Sequence, residues 1–339
     1  MTRIPRGLAV ALWPLSVVYG WVVRGKNWMY DAGWLKTKRL RGTVISVGNL
    51  TTGGTGKTPM VLWLAQKFLA EGKSVAILSR GYKGSGGTSD EIELLRKRLG
   101  DGVRFGVGAD RFASGSKLEG ERRVDVFLLD DGFQHRELAR DLDILMIDGM
   151  RDLRRESMLP SGSLREPMSA MRRADITVVS RQSEKTPVAT SGSTRRPVFF
   201  AQTRLVEFRR LGVGAPELKH GSTISRAPSF AFCGVGNPDA FFADLVSWRV
   251  ELAGERAFRD HHVYSELDVE HLEAEADKVS AADFVTTEKD AANLAAVGRR
   301  FRRPVWVAVI DFVFSAESEF VAAIERALKK KRDARGAAA

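Results

Sequence analysis

Hydrophobic positions along this chain fall into short runs separated by polar and glycine-rich segments. Thr43-Val44-Ile45-Ser46-Val47 is apolar and β-branched and reads as a strand. Met60–Ala70 spaces its apolar residues as an amphipathic helix does and stops near Gly72. Ser74–Ser79 reads as a second strand and Ile92–Leu99 as a second helix. Val124–Leu129 is broken only by Asp125, the pattern of a strand buried on both faces. Leu142–Ile147 and Ile176–Ser180 are further strands. Gln182–Arg196, rich in Ser, Thr and Pro, reads as a surface loop, and Val198–Phe208 as a two-stranded connector. A second set follows: a strand at Phe230–Cys233, a helix at Ala240–Trp248, strands at Asp283–Thr286 and Val305–Ile310, and a closing helix at Glu317–Lys330. The tail from Asp333 is expected to fray. Strands alternating with helices predict an α/β fold with mainly parallel sheets and its chemistry at the carboxyl ends of the strands.

The first strand runs into Gly48-Asn49-Leu50-Thr51-Thr52-Gly53-Gly54-Thr55-Gly56-Lys57-Thr58-Pro59. Strand, glycine-rich loop, Lys-Thr and helix is the arrangement of a nucleotide phosphate cradle. Glycines let backbone N–H groups approach phosphate oxygens. Lys57 can neutralise the β- and γ-phosphates, Thr58 can hold Mg²⁺, and the helix start aims its positive end at the anion. The usual pattern has Gly where Thr51 stands, and here Gly53 and Gly54 supply the flexibility instead.

Composition narrows the partners. The 339 residues suffice for two domains, and 44% hydrophobic residues can bury a core. The single cysteine, Cys233, excludes an internal disulfide framework, and with five His it makes a structural zinc site implausible. The net charge of +11 favours an anionic partner. Its clusters, Lys36–Arg41, Arg151–Arg155 and Lys329–Arg332, are dispersed and lack interleaved aromatics, which argues against nucleic acid. Leu8 to Val23 carries no charge, holds Trp13, Tyr19 and Trp21, and has basic residues on both flanks. It is short for a spanning helix, which needs about 20 apolar residues. An interfacial membrane anchor and a helix packed on the core both remain open.

Several polar groups could carry chemistry. Asp130 and Asp131 end an apolar strand, where an acid of a phosphate-loop protein holds Mg²⁺ directly or through water. Gln134 and His135 follow closely and either orient these groups or are structural. Glu166, on a loop after Pro160-Ser161-Gly162, is either a metal ligand or half of a surface pair with Arg165. Asp90 is either a helix cap or a carboxylate that takes a hydroxyl proton; spacing alone favours the cap. Asp260-His261-His262 is a poor metal clamp, and on spacing alone a structural reading is favoured. Thr287 reads as a helix cap with Asp290 completing a capping box, and Lys289 can reach an anion.

Together these segments resemble the tetraacyldisaccharide 4′-kinases of lipid A biosynthesis. The resemblance rests on Ser46–Pro59, Ser79-Arg80-Gly81-Tyr82-Lys83-Gly84, Asp90-Glu91, Asp130-Asp131-Gly132-Phe133-Gln134-His135 and Leu164-Arg165-Glu166-Pro167. It continues through Gly234-Val235-Gly236-Asn237-Pro238, Asp260-His261-His262 and Thr287-Glu288-Lys289-Asp290-Ala291, in one order over almost the whole chain. It implies transfer of the γ-phosphate of ATP to the 4′-hydroxyl of a tetraacyldisaccharide 1-phosphate, forming lipid IV-A with Mg²⁺ as cofactor. It implies two α/β/α domains joined by a β-ribbon, the N-terminal one a phosphate-loop kinase core. The expected division is a membrane-associated segment 1–35, a kinase domain 36–197, a ribbon 198–212, a C-terminal domain 213–332 and a frayed tail 333–339.

The same resemblance assigns roles residue by residue. Asn49, Thr51, Thr52, Gly53, Gly54, Thr55, Gly56, Lys57 and Thr58 would bind ATP, supported by Gln134, His135 and Lys289. Thr58, Asp130, Asp131 and Glu166 would lie at the metal, with Asp130 and Asp131 also catalytic. Asp90 becomes the base, with His261 (or His262, since the pair lets the alignment slip) as its partner. Arg80, Gly81 and Tyr82 would line the substrate cleft. Domain closure would exclude water. The expected partners are an anionic glycolipid substrate and inner-membrane lipids, with no nucleic acid and no obligate protein partner, at the cytoplasmic face of the inner membrane, peripheral or monotopic. The rival class is a membrane-surface ATPase switch without a phosphorylated product; such switches often carry Lys where Thr52 stands. Charge alone suggests a nucleic-acid-binding ATPase.

Overall fold

The computed structural model describes residues 6–81, 90–181, 196–212, 218–219, 228–294 and 296–337. In chain order the elements are α1 (Arg6–Asp31), β1 (Thr43–Asn49), α2 (Lys57–Ala70), β2 (Val75–Ser79), α3 (Asp90–Leu99), β3 (Val103–Val107), α4 (Arg111–Glu121), β4 (Val126–Asp130), β5 (Leu142–Asp148), β6 (Ile176–Ser180), β7 (Val198–Arg210) and β8 (Leu218–Lys219). They continue as β9 (Ser229–Cys233), α5 (Pro238–Ser247), β10 (Leu252–Ala257), α6 (Glu266–Lys278), β11 (Phe284–Thr287), α7 (Glu288–Asn293), β12 (Val305–Phe314) and α8 (Glu317–Gly336). The fold is α/β with mostly parallel strands, as the alternation of elements predicts.

The chain divides into two compact units that interleave in sequence. One holds Thr2–Gly81, Arg98–Gln202 and Phe312–Ala339; the other holds Tyr82–Lys97 and Thr203–Asp311. The expected linear division therefore does not describe the packing at two places. The segment around α3 clusters with second-half residues, and α8 clusters with the first half. The ends of β7 and β12 are shared out between the units at Gln202/Thr203 and Asp311/Phe312.

In the first unit the strands run β6-β5-β1-β4-β2-β3, all parallel, and the start of β7 joins β6 from Thr177↔Val198 to Ser180↔Ala201. β1 lies between β4 and β5 and is buried from Val44 to Asn49, which is why its sequence is apolar without alternation. The register Val47↔Asp130 sets the end of β4 beside the start of the glycine-rich loop. α2 buries Met60, Val61, Leu64 and Ala65 completely against this sheet. In the second unit β10-β9-β11-β12 are parallel, and β8 pairs antiparallel with the end of β7 at Phe208↔Lys219. Phe232 and Phe284 are fully buried at its centre, each worth about 1.5–3 kcal/mol of transfer from water.

Val198–Phe208 falls within a single strand, β7, because no turn residue interrupts it. The tail expected to fray from Asp333 stays helical to Gly336. No helix breaker precedes Gly336, and Arg335 pairs with the buried Asp141 of the same unit. The loop expected at Gln182–Arg196 falls, up to residue 195, outside the described residues.

Candidate active site

The glycine-rich loop leaves β1 and re-enters helix at Lys57. Gly56 takes a left-handed conformation at φ 82°, and a Cβ there would stand 2.5 Å from Phe312 Cζ, so only glycine makes this turn. No side chain caps α2, which leaves its first N–H groups for an anion. Asn49 Nδ2 reaches Thr55 Oγ1 at 3.0 Å and Gly53 O at 3.4 Å, and thereby folds the loop back on the strand that emits it. Thr51 forms an isolated antiparallel bridge with Leu164, and Thr52 N–H donates to Ser163 O at 2.8 Å. Thr51, which occupies the position of the usual glycine, is thus buried edge backbone.

Asp130 ends β4, and Asp131 turns away after it at φ 50°, a conformation Asp tolerates better than most residues. Asp131 Oδ1 lies 3.5 Å from Lys57 Nζ, and Oδ2 accepts from Arg165 at 2.7 Å. Burial raises the Asp131 pKa, but Lys57 and Arg165 outweigh it and hold the carboxyl below its ordinary value. Its Oδ1 is buried without a hydrogen-bond partner. A buried carboxylate oxygen held only at ion-pair distance by the cradle lysine suits Mg²⁺ or a Mg²⁺-bound water. Thr58, the second residue of α2, and Asp130, the last of β4, carry oxygens of the hard type that Mg²⁺ takes. Among the described residues no cluster of three His, Cys, Asp or Glu could hold a metal by itself.

Glu166, expected at the metal, is ringed by side-chain donors. Arg173 grips both of its oxygens, at 2.7 and 2.9 Å, Asn27 donates to Oε2 at 2.7 Å, and Gln134 to Oε1 at 3.2 Å. With its acceptor sites taken, it serves as a hub. Gln134 also donates to Asn49 O at 2.9 Å, so hub and phosphate loop share one network. His135 Nδ1 meets Arg111 at 3.3 Å. Burial first, then Arg111, pushes its pKa down to about 4, so it stays neutral and Nδ1 serves as the acceptor.

In the second unit the geometry joins Asp90 to His261. Asp90 is the first residue of α3, and its carboxylate reaches beyond the helix. Oδ2 meets His261 Nδ1 at 3.0 Å and accepts from Asn293 Nδ2 at 3.0 Å. Burial raises the Asp90 pKa, but the bonds from His261 and Asn293 and the charges of His261 and Lys289 prevail and hold it below the ordinary value. The bond to Asp90 raises that of His261. His262 is not the partner: it pairs with Asp268 at 3.2 Å and stacks on Phe258. Lys289 lies 2.9 Å from Asp260, 3.1 Å from Glu91 and 3.5 Å from His261 Nε2. Thr287 caps α7 as expected by accepting from Asp290 N–H, while the Asp290 carboxylate accepts from Gly234 N–H and Tyr264 OH, both at 2.8 Å. Asp290 thus ties the Gly234 turn to α7, and Gly234 O accepts from His261 N–H at 3.2 Å.

Arg80 is exposed at the end of β2, and Gly81 sits at φ 65° with Val107 where a Cβ would project, so its glycine is demanded by backbone and packing. Tyr82 lies outside the described residues. Sequence reasoning missed Arg165 and Arg173 as partners of the two acids, and Asn293 as a partner of Asp90. Arg165 stood inside the quoted Leu-Arg-Glu-Pro segment; Asn293 carried no signal.

α1 has a docked face and an exposed one. One face docks on the first unit: Ser161 N–H donates to Ser16 Oγ at 2.9 Å, Tyr19 OH to Arg165 O at 3.0 Å, and Arg136 pairs with Asp31 at 2.6 Å. The other face leaves Leu8, Val10, Trp13, Leu15, Val18, Trp21 and Val22 more than half exposed. Among the described residues no helix is long and apolar enough to cross a membrane.

Residues 8–329 match the family described as tetraacyldisaccharide-1-P 4′-kinase. The tetraacyldisaccharide 4′-kinase of Geobacter metallireducens is 39% identical over 332 residues, covering 93% of this chain and 96% of that protein. That of Pelobacter propionicus is 35% identical over 346 residues, covering 96% of this chain and 94% of its own length. The crystal structure of LpxK from Aquifex aeolicus in complex with ATP superposes with a TM-score of 0.73 at 31% identity, covering 95% of this chain and 99% of that one. The loop, the paired acids and the Asp90–His261 contact thus sit in a chain matched over nearly all of its length: it belongs to the tetraacyldisaccharide 4′-kinase family.

Proposed function

We propose that this chain transfers the γ-phosphate of ATP to the 4′-hydroxyl of a tetraacyldisaccharide 1-phosphate, yielding lipid IV-A. The phosphate loop binds and orients the donor. Uncapped N–H groups of α2 and Lys57 offset phosphate charge, and Arg165 holds Asp131 with Oδ1 beside Lys57. Bound Mg²⁺ supplies further charge neutralisation; Thr58, Asp130 and Asp131 would hold it. Asp90 takes the proton of the acceptor hydroxyl as the new O–P bond forms and the bond to the ADP oxygen breaks. His261 and Asn293 hold the carboxylate ionised and oriented. The single observation that carries this reading over an ATPase switch is the 3.0 Å contact of Asp90 with His261, since a switch needs no base for an alcohol.

The substrate is an acylated lipid, and the unpartnered apolar and tryptophan face of α1, with the basic balance of the chain, suits peripheral attachment to the cytoplasmic face of the inner membrane. The test is transfer of radiolabelled γ-phosphate to the disaccharide lipid in detergent. Labelled lipid IV-A is expected, with Asp90→Ala abolishing transfer and leaving ATP binding nearly unchanged. ATP turnover without labelled lipid would overturn the reading in favour of the switch.

A further inference from the structure

The loop from Thr51 to Gly56 departs from the usual glycine pattern, yet its outer side is gripped almost residue by residue. Arg151 Nη1 donates to Thr52 O at 3.4 Å, Asn49 Nδ2 to Gly53 O at 3.4 Å, Arg181 Nη2 to Gly54 O at 3.1 Å, and Ser180 Oγ to Thr55 O at 3.1 Å. Three of these donors come from the ends of β5 and β6 and the turns after them. Both arginines converge on Asp148, the last residue of β5. Its carboxylate is 1% exposed and lies 3.5 Å from Arg181 and 3.8 Å from Arg151. Arg181 adopts φ 55°, a conformation costly for a side chain of this size and held here by what it grips.

A peptide unit whose carbonyl is drawn outward turns the following N–H inward. A loop pinned at successive carbonyls therefore presents its N–H groups in one direction before any anion arrives. An unpinned loop with only Gly53 and Gly54 as flexible hinges would have to order itself on binding, and that ordering would reduce affinity. We propose that Asp148, Arg151 and Arg181 form a clasp that presets the phosphate loop for the ATP phosphates. They are positioning residues, acting through backbone carbonyls rather than by touching the nucleotide. The inference rests on the ATP reading of the loop.

Full-length wild type is compared with Arg181→Ala, Arg181→Gln, Arg151→Ala and Asp148→Asn by titration calorimetry with Mg²⁺-ATP and Mg²⁺-ADP, and by steady-state transfer. Arg181→Ala is expected to raise the Kd of ATP and of ADP about tenfold, the worth of one charge-assisted hydrogen bond. KM for ATP should rise in parallel, while kcat and KM for the lipid change less than threefold. Arg181→Gln keeps a donor for the Gly54 carbonyl without the charge and is expected to recover most of that loss. Asp148→Asn should weaken nucleotide binding as Arg181→Ala does, since both guanidiniums lose their anchor. Circular dichroism confirms folding, and if Asp148→Asn does not fold, the Arg181 pair decides. Wild-type affinity in Arg181→Ala, or equal losses in Arg181→Gln and Arg181→Ala, overturns the clasp while leaving the ATP reading intact. Absence of ATP binding by wild type overturns both.

Discussion

Replacing Glu166 by Gln separates a hub from a metal ligand. Glu166 is 3% exposed and Arg173 17%, and the pair is joined by two hydrogen bonds of 2.7 and 2.9 Å. Breaking a buried pair and leaving one charge behind costs about 3–5 kcal/mol. Arg173 retains some compensation: it stacks 4.5 Å over the Phe133 ring and donates to Phe133 O at 3.2 Å. The amide of Gln can also accept one of the two bonds. The net loss is therefore about 2–3 kcal/mol. At roughly 2–4 °C per kcal/mol for a unit of this size, the unfolding midpoint falls by about 4–12 °C. Thermal unfolding without nucleotide or Mg²⁺ measures this, and Mg²⁺ titration of phosphate transfer measures the alternative. The expected result is a lowered midpoint with the Mg²⁺ requirement changed less than threefold. A midpoint within 1 °C of wild type together with a tenfold higher Mg²⁺ requirement would refute the hub and restore Glu166 as a ligand.

Other consequences follow from the same geometry. His261→Gln removes the group that helps hold the Asp90 carboxyl low, so the acid limb of the pH profile for kcat/KM moves to higher pH. The stabilisation shared by the pair is complete between the ordinary values of 3.8 and 6.5. It is lost as pH falls through the lowered Asp90 value or rises through the raised His261 value; an unmoved acid limb would show that His261 does not act through Asp90. Asn293→Ala deletes the second donor to Asp90 Oδ2 and should lower kcat about tenfold with KM for ATP unchanged, read by steady-state kinetics. Gly56→Ala forces a Cβ into a left-handed turn and onto Phe312. It costs about 2–4 kcal/mol and weakens ATP binding at least thirtyfold by calorimetry if the loop keeps its fold. Trp13→Ser with Trp21→Ser strips the exposed aromatic residues of α1 and should shift the protein from vesicle-bound to free in flotation assays; unchanged partitioning would remove α1 from the membrane contact.

The sequence by itself determined the alternation of strands and helices, because buried parallel strands must be apolar on both faces and this leaves continuous runs such as Val44–Val47 and Val126–Leu129. It also determined the phosphate loop, whose glycines, lysine and following helix are contiguous and act locally. Strands carrying charge escaped notice: β3 contains Arg104, and β10 holds Glu255 and Arg256, since an edge strand needs no unbroken apolar run. Roles that depend on distant partners were equally hidden. Spacing favoured Asp90 as a cap and His261 as structural, and only the resemblance to a family raised them to a catalytic pair. Their contact joins residues 171 positions apart, and it alone chose His261 over His262. Glu166 reads the same as a metal ligand or as the seat of an arginine until Arg173, Asn27 and Gln134 are found on its oxygens. A carboxylate carries no mark in sequence of what will satisfy it. Burial makes satisfaction obligatory, and which group supplies it is fixed only when the chain has folded.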